Sequence, residues 1–586
     1  MKVSDYIVSF LKEQNINVIF GYQGGAITHL VNSIGEAKDI EFLQMYHEQA
    51  AAFAAEGYAR VSGNLGIATA TSGPGATNLI TGIASAFFDS IPCMYITGQV
   101  NTYEYKESID VRQAGFQETD IVSIVKPITK YAEMVTDPYM IRSNLEKAVD
   151  MATKGRPGPV LLDIPMNIQR TEIDEAKLSS YFDSNQDQET KDMEEAKQLE
   201  QDCKTVLHLL KESNRPVILV GGGIRNSKSE KLLNEFINKT HIPVVSTLMG
   251  LDCVPHTQEE FVGFIGAYGN RYANLTIANA DLVLVLGSRL TSRQTSTDPK
   301  SFARKAKIVH VDIDKNELNR TINSFMTINS DLKLFIELLN NYADHKAFQG
   351  RYDAWYIKIN SYKNQYPSYP TQQDMNQIDP NKMMKILSDM IDDKAVICGD
   401  VGQNQIWIAQ SFALKKDQRL LNCGGMGAMG FALPSAIGAY MASPESTVIA
   451  IAGDGGMQIN IQELQTIARE KLPIKIFVIN NQALGMIRHF QEMYFESKYY
   501  GTIEGYAAPD FVKLGEAYGI ASHKITNYDE LYAIKDKLKD NRCYIFEIML
   551  GKMTYVIPKL SMGRPIEDQD PIVSREELQN NMVVDD

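Results

Sequence analysis

The sequence predicts an α/β protein made of three successive doubly wound domains, each around a parallel sheet. Three observations predict it. Apolar strand-like runs alternate with amphipathic helical stretches along most of the chain, the pattern of a parallel sheet covered on both faces. Two polar segments, at 170–197 and about 346–378, interrupt that alternation and suit domain linkers. The length of 586 residues leaves room for about three to five domains.

The first block supplies strands at 18–22 (VIFGY), 41–46 (EFLQMY), 65–71 (LGIATAT), 93–97 (CMYIT) and 159–165 (PVLLDIP), with the Ala-rich helix 48–61 between the second and third. The second block supplies 216–223 (PVILVGGG), 243–247 (PVVST), 282–288 (LVLVLGS) and 308–314 (IVHVDID). The third supplies 395–400 (AVICGD), 447–455 (TVIAIAGDG), 474–481 (IKIFVINN) and 543–550 (CYIFEIML), with a helix expected over 459–471. An irregular, Pro-containing tail follows from about 551.

Composition excludes several classes. Hydrophobic residues at 44% and charged residues at 22% suit a folded protein. A net charge of −14 is repelled by a phosphate backbone, so no nucleic-acid partner is expected. Six dispersed cysteines form no CxxC, which points to a reducing compartment. The amino terminus is amphipathic and broken by charge, unlike a signal peptide. No apolar run approaches about 18 residues, so a cytoplasmic protein without a membrane partner is expected.

The sharpest constellation is Gly453-Asp454-Gly455 at the end of one expected strand and Asn480-Asn481 at the end of the next, 27 positions on. One βαβ unit then brings Asp454 and Asn481 to neighbouring carboxyl ends, where open α/β sheets bind ligands. A carboxylate, an amide oxygen and a main-chain carbonyl form a hard site suited to Mg²⁺ with substrate phosphates. A lone Gly-Asp-Gly is also an ordinary turn with a helix cap; the paired Asn-Asn at this spacing separates the readings. In the first block, Glu48 opens the Ala-rich helix directly after a strand, where it is either a carboxylate beside a cleft or a first-turn Glu favoured by the helix dipole.

The pattern Gly453–Gly456 with Asn480-Asn481 resembles the diphosphate motif of thiamine-diphosphate enzymes. Longer stretches, including FGYQGGA (20–26), HEQAAAFAAEGYAR (47–60), TSGPGATNLITGIASAFFDSIPCMYITGQV (71–100), VGQNQIW (401–407) and CGGMGAMGFALPSAIGA (423–439), resemble the acetohydroxyacid synthases (acetolactate synthases). The resemblance covers about 1–550 and implies a pyrimidine-binding domain at 1–170, a central flavin-binding-like domain at 195–345, a diphosphate domain at 378–550 and a tail at 551–586.

By that resemblance, Asp454, Asn481 and the main-chain oxygen of Ala483 hold the metal. Gly453, Gly455, Gly456, Val401, Gly402, Gln403, Leu484 and Met486 surround the diphosphate. Gly427 accepts from the cofactor's amino group and Met429 wedges the cofactor into a bent shape. Glu48 serves the proton relay that ionises the cofactor, whose chemistry is its own. Ser72, Gly73, Pro74, Gly75, Asn78 and Gln117 line the site, and Gly25 offers its N–H to a developing oxyanion. In the middle block, Gly221, Gly222, Gly223, Thr247, Leu248, Met249, Gly287, Arg289, Arg293, Asp312 and Asp331, with Arg156, resemble an FAD site; carboligases of this family keep FAD without net redox. The implied assembly is a homodimer or homotetramer with active sites between subunits.

Departures gather at the acceptor pocket. Gln23 stands where the family has Pro, His29 adds an ionisable group beside the oxyanion turn, Phe490 replaces a Trp, and Ser292 removes a carboxylate next to Arg293. Phe116 and Lys130 complete the expected pocket. The function expected is decarboxylation of pyruvate and transfer of its two-carbon unit to a carbonyl acceptor. That acceptor is either a second 2-oxo acid or a larger ketone such as a keto-deoxysugar nucleotide, the substrate class of relatives that build branched sugars such as yersiniose. The alternatives are a flavin-using pyruvate oxidase and a cyclic-diketone hydrolase or lyase on the same fold.

Overall fold

A computed structural model describes residues 1–106, 110–184, 192–370 and 377–584. Three six-stranded sheets form in chain order. The first contains β1 (Val18–Tyr22), β2 (Glu41–Gln44), β3 (Gly66–Ala70), β4 (Cys93–Gln99), β5 (Tyr131–Met134) and β6 (Val160–Pro165), ordered β2-β1-β3-β4-β6-β5. The second contains β7 (Pro216–Val220), β8 (Val244–Ser246), β9 (Phe261–Phe264), β10 (Leu282–Leu286), β11 (Lys307–Asp312) and β12 (Met326–Asn329), ordered β12-β11-β10-β7-β8-β9. The third contains β13 (Ala395–Gly399), β14 (Arg419–Asn422), β15 (Thr447–Gly453), β16 (Lys475–Asn480), β17 (Ala521–Ile525) and β18 (Tyr544–Met549), ordered β14-β13-β15-β16-β18-β17. Every neighbouring pair in these sheets is parallel. The first and third sheets share one topology. The second reverses its order between β10 and β7, the switch point at which such sheets bind ligands.

Three expectations are corrected. The polar segment 170–197 is not linker throughout: helix Asp192–Glu212 begins inside it and buries Leu199, Cys203, Val206, Leu207 and Leu210, while 185–191 lie outside the described residues. The weak segment 346–378 contains helix Asp353–Gln365, which buries Trp355, Ile359 and Tyr362; 371–376 lie outside the described residues. The helix expected over 459–471 is broken into Asp454–Ile459 and Glu463–Glu470, because the Asn460 side chain turns away to donate to Gly430 O at 2.7 Å. The tail is irregular but docked. Val556 and Ile566 are buried, and its carbonyls accept from Arg271 (Pro571 O), Asn274 (Ile566 O), Asn279 (Asn581 O) and Trp407 (Tyr555 O).

The first and third domains meet along helices Glu48–Ser62 and Ala432–Ala442. The Ala-rich sequence has a direct steric reason. A Cβ on Gly438 would lie 1.8 Å from Ala54 O, and one on Gly57 would lie 2.3 Å from Ser435 O. Small side chains let the two backbones touch. Gly438→Ala is therefore expected to force the helices apart at a cost on the order of 1–3 kcal/mol, read as a lowered melting temperature. An unchanged melting curve would show that the contact yields freely.

Candidate active site

Asp454 follows β15 and opens helix Asp454–Ile459. Its Oδ1 accepts from Gly455 N at 2.8 Å. Its Oδ2 is buried with no hydrogen-bond partner. Burial pushes its carboxyl up to about 6, opposed by N–H donors of Gly455, Gln482 and Ala483 and by Tyr506. Asn481 follows β16; its Oδ1 accepts from Ala483 N at 3.2 Å and its Nδ2 donates to Gln403 Oε1 at 2.8 Å. Asp454, Asn481 and Ala483 line one cavity of about 110 Å³ with Val401, Gly402, Gln403, Met429, Gly453, Gly455, Gly456, Leu484 and Met486. An orphaned carboxylate oxygen facing an amide in a cavity fits a hard cation, since burying an unpaired acceptor is otherwise costly. No cluster of three His, Cys, Asp or Glu side chains suited to a metal occurs among the described residues.

The turn bearing Gly427 and Met429 is tied down at both ends by groups the sequence reading missed. Asp89 accepts from Gly424 N (3.0 Å) and Gly425 N (2.7 Å) and pairs with Arg60 at 2.8 Å. Cys423 Sγ accepts from Ala428 N at 3.3 Å. Asp400 accepts from Gly430 N and Ala432 N, at 3.0 and 3.1 Å. Only Asp400 had a legible signal: it ends β13 in a Gly-Asp pair like that of Asp454. Gly427 has φ +68° with open space where a Cβ would sit.

The first-domain residues gather at the carboxyl ends of β1, β2 and β3. Glu48 is 6% exposed, and its Oε2 accepts from Asn78 Nδ2 at 2.9 Å. A Cβ on Gly75 would come within 3.0 Å of Glu48 Oε1. Ser72 is buried, Pro74 starts helix Pro74–Asn78, and Gly73 packs on Gln117, with φ +64° at both. Gly25 is exposed on the turn after β1, where Thr71 Oγ1 accepts from Ala26 N. His29, one turn further, is half-buried; burial, then Arg170 and Lys2, push its pKa below the usual histidine value. The missed residue here is Glu463 of the third domain, which accepts from Tyr46 N at 3.0 Å and is pushed up to about 7 by burial.

Glu48, Gly25 and Gln117 do not line the Asp454 cavity. The lining of that cavity comes entirely from residues 401–487. The acceptor candidates divide likewise. Gln23 and Phe116 are exposed on the first domain, Phe116 at 86%. Ser292 and Arg293 are exposed, and Arg293 and Tyr494 both act electrostatically on Tyr268; Phe490 packs on Tyr494 and Phe495, ring centroids 4.8 and 5.9 Å apart. Lys130 sits at the amino end of β5, on the opposite sheet edge from Glu48, and its Nζ donates to Lys154 O at 2.8 Å.

A second cavity, about 570 Å³, opens at the switch point of the central sheet. Gly222, Gly223, Thr247, Leu248, Met249, Gly287, Arg289, Asp312, Asp331 and Arg156 line it, with Arg60, Asp89 and Ser90. Its size and place suit a dinucleotide. Arg156 Nη1 bonds Asp314 at 2.9 Å, Asp331 caps helix Leu332–Tyr342, and burial raises the Asp312 pKa. Two of the expected residues are not part of this lining. Gly221 lies behind the wall, where a Cβ would strike Gly287 O at 2.1 Å, so its smallness serves strand-end packing. Arg293 lies outside the lining, its carbonyl accepting from Ala267 N at 2.8 Å.

Three family models match the chain: the thiamine pyrophosphate enzyme N-terminal TPP binding domain at 1–124, the central domain at 203–339 and the C-terminal TPP binding domain at 400–548. The chain is 37% identical to the chloroplastic acetolactate synthase of Arabidopsis thaliana over 578 residues, covering 97% of this chain and 84% of that protein. It is 35% identical to the acetolactate synthase large subunit of Lactococcus lactis over 566 residues, covering 96% and 94%. The Corynebacterium glutamicum large subunit is 36% identical over 573 residues, covering 96% and 89%.

Asp454→Ala is expected to abolish Mn²⁺ binding measured with diphosphate cofactor present. Because the carboxylate is buried and half unpaired, the metal-free variant should melt no lower than the parent. Retained Mn²⁺ binding would remove Asp454 from the metal set.

Proposed function

The chain belongs to the thiamine pyrophosphate enzymes, and on that premise we propose that it is a carboligase that decarboxylates pyruvate and joins the two-carbon unit to a second carbonyl compound. The observation that carries this reading is the pairing of an orphaned Asp454 oxygen with Asn481 at adjacent strand ends, together with a buried Glu48 in the first domain. A protein that only bound the cofactor would have no use for the second feature.

Asp454, Asn481 and the Ala483 carbonyl would hold Mg²⁺, and Gly453, Gly455 and Gly456 would let backbone approach the diphosphate. Thiamine diphosphate, when bound, supplies the acidic carbon that adds to a 2-oxo acid and takes up the electrons released with CO₂. Glu48 would share a proton with the pyrimidine nitrogen, and Gly427 would accept from the amino group. Met429 would set the bend between the two rings. Gly25, Gln117 and His29 would face the reacting carbonyl; the His29 imidazole, whose pKa burial lowers, can give or take a hydrogen bond. Because Glu48 does not line the Asp454 cavity, a second copy would complete each site. The 570 Å³ cavity suits FAD in a non-redox role.

The acceptor side favours a larger, more polar carbonyl than the 2-oxo acids. Phe490 lacks the bulk and N–H of an indole, Ser292 carries no charge, and Gln23 and His29 add hydrogen-bonding groups. A keto-deoxysugar nucleotide is the candidate of that chemistry, and a second molecule of pyruvate is the alternative.

Mass spectrometry of products from labelled pyruvate, alone and with candidate ketones, tests the reading. Transfer to a ketone lacking a carboxylate is expected, with weak preference for 2-oxobutyrate over pyruvate. Phe490→Trp should raise that preference, since a methylene-sized difference is worth about 1–3 kcal/mol. Strong 2-oxobutyrate preference in the unmodified enzyme, with no ketone product, would instead make 2-oxo acids the acceptors and the enzyme an acetohydroxyacid synthase. Glu48→Gln should bind cofactor yet slow exchange of its C2 proton on the order of 10²-fold or more; parental exchange rates would show that another group moves the proton.

A further inference from the structure

Arg488 is among the largest fully buried side chains of the molecule. It lies on helix Gly485–Tyr494, one turn beyond Asn481 and Ala483, and reaches the tail. Its Nη1 donates to Lys552 O, its Nη2 donates to Thr554 O at 2.6 Å, and its guanidinium lies 4.6 Å from the centre of the Tyr555 ring. Thr554 O has a second donor, Gln403 Nε2 at 2.8 Å. Gln403 is itself buried, seated where a Cβ on Gly485 would lie 1.8 Å from its Oε1.

These bonds form a chain with one direction. A peptide carbonyl can only accept, so Gln403 must turn its NH₂ toward Thr554. Its oxygen then faces Asn481 and can only accept, so Asn481 must turn its NH₂ toward Gln403. The Asn481 oxygen is left on the other side, toward Ala483 N and the Asp454 cavity. An amide flipped by 180° has nearly the same shape but would aim an NH₂ at a cation.

We propose that Arg488 and Gln403 are positioning residues that use the tail carbonyl of Thr554 to fix the polarity of the Asn481 amide, so that oxygen rather than NH₂ faces the divalent metal. The proposal rests on the reading of Asp454, Asn481 and Ala483 as a metal site. It explains why a fully buried guanidinium is committed to two tail carbonyls, and it makes the tail part of the metal site although no tail residue lines the cavity.

The test is Mn²⁺ titration of the metal-free full-length protein with thiamine diphosphate present, read by the electron paramagnetic resonance of free Mn²⁺. Arg488→Met should weaken Mn²⁺ binding about tenfold or more, and Arg488→Lys, which keeps a donor for the carbonyls, should restore most of it. The same Arg488→Met change in an Asn481→Asp background should have little effect, because a carboxylate presents oxygen whichever way it turns. Equal losses in both backgrounds, or no loss in either, would overturn the relay. If Arg488→Met does not fold, Gln403→Met replaces it: this removes both the donor to Thr554 and the acceptor for the Asn481 NH₂ and should weaken Mn²⁺ binding in the Asn481 protein more than in Asn481→Asp, equal effects again overturning the relay. Asp454→Asn separates the premise: unchanged Mn²⁺ affinity there defeats the metal assignment, whereas its loss beside a silent Arg488→Met defeats the relay alone.

Discussion

Direct backbone contact between helices Glu48–Ser62 and Ala432–Ala442 is the constraint on which the rest of the arrangement depends. Gly57 and Gly438 leave no space between them. With the helices so close, groups of the first domain reach the third. Arg60 and Asp89 come under the turn that bears Gly427 and Met429, and Glu463 reaches back to Tyr46, two residues before Glu48. The turn that bears Gly427 and Met429 is thus braced from a neighbouring domain, which holds it without contributing a side chain to the lining of the Asp454 cavity.

The buried carboxylates divide into two kinds. Asp400, Asp89 and Glu463 each accept from backbone N–H groups that would otherwise be unpaired. These acids maintain structure, and their environment compensates part of the desolvation that raises the pKa of Asp400 and Glu463. Asp454 also leaves one oxygen without a hydrogen-bond partner, as Glu56, Glu547 and Glu567 do, but of these four acids it is the one that lines the 110 Å³ cavity.

The central strands were legible because they are nearly continuous apolar runs: β7, β10, β13 and β16 each appear in the sequence close to their true bounds. The strands β5, β9, β12, β14 and β17 were not recognised. All are sheet edges; β12 and β17 mix exposed and buried positions and β5 has no buried one, so their hydrophobic signal is diluted. The same physics hid helix Asp353–Gln365, whose polar face dominates its composition. In the site, Asp454, Asn481 and Glu48 were readable because their chemistry demands a residue type at a strand end. Arg488 and Asp89 were not, because their partners include main-chain atoms tens to hundreds of positions away.

The docked tail has a consequence for how the protein comes into being. Domains form in order as the chain is synthesised, but the third sheet closes only when β18 pairs with β16, a few residues before Thr554, so the two amides and their carbonyl partner are enclosed together. The central domain waits, since Arg271, Asn274 and Asn279 donate to carbonyls between 566 and 581. Completion of the central domain is therefore tied to release of the finished chain from the ribosome, and a prematurely terminated product would leave Arg271, Asn274 and Asn279 without their tail acceptors.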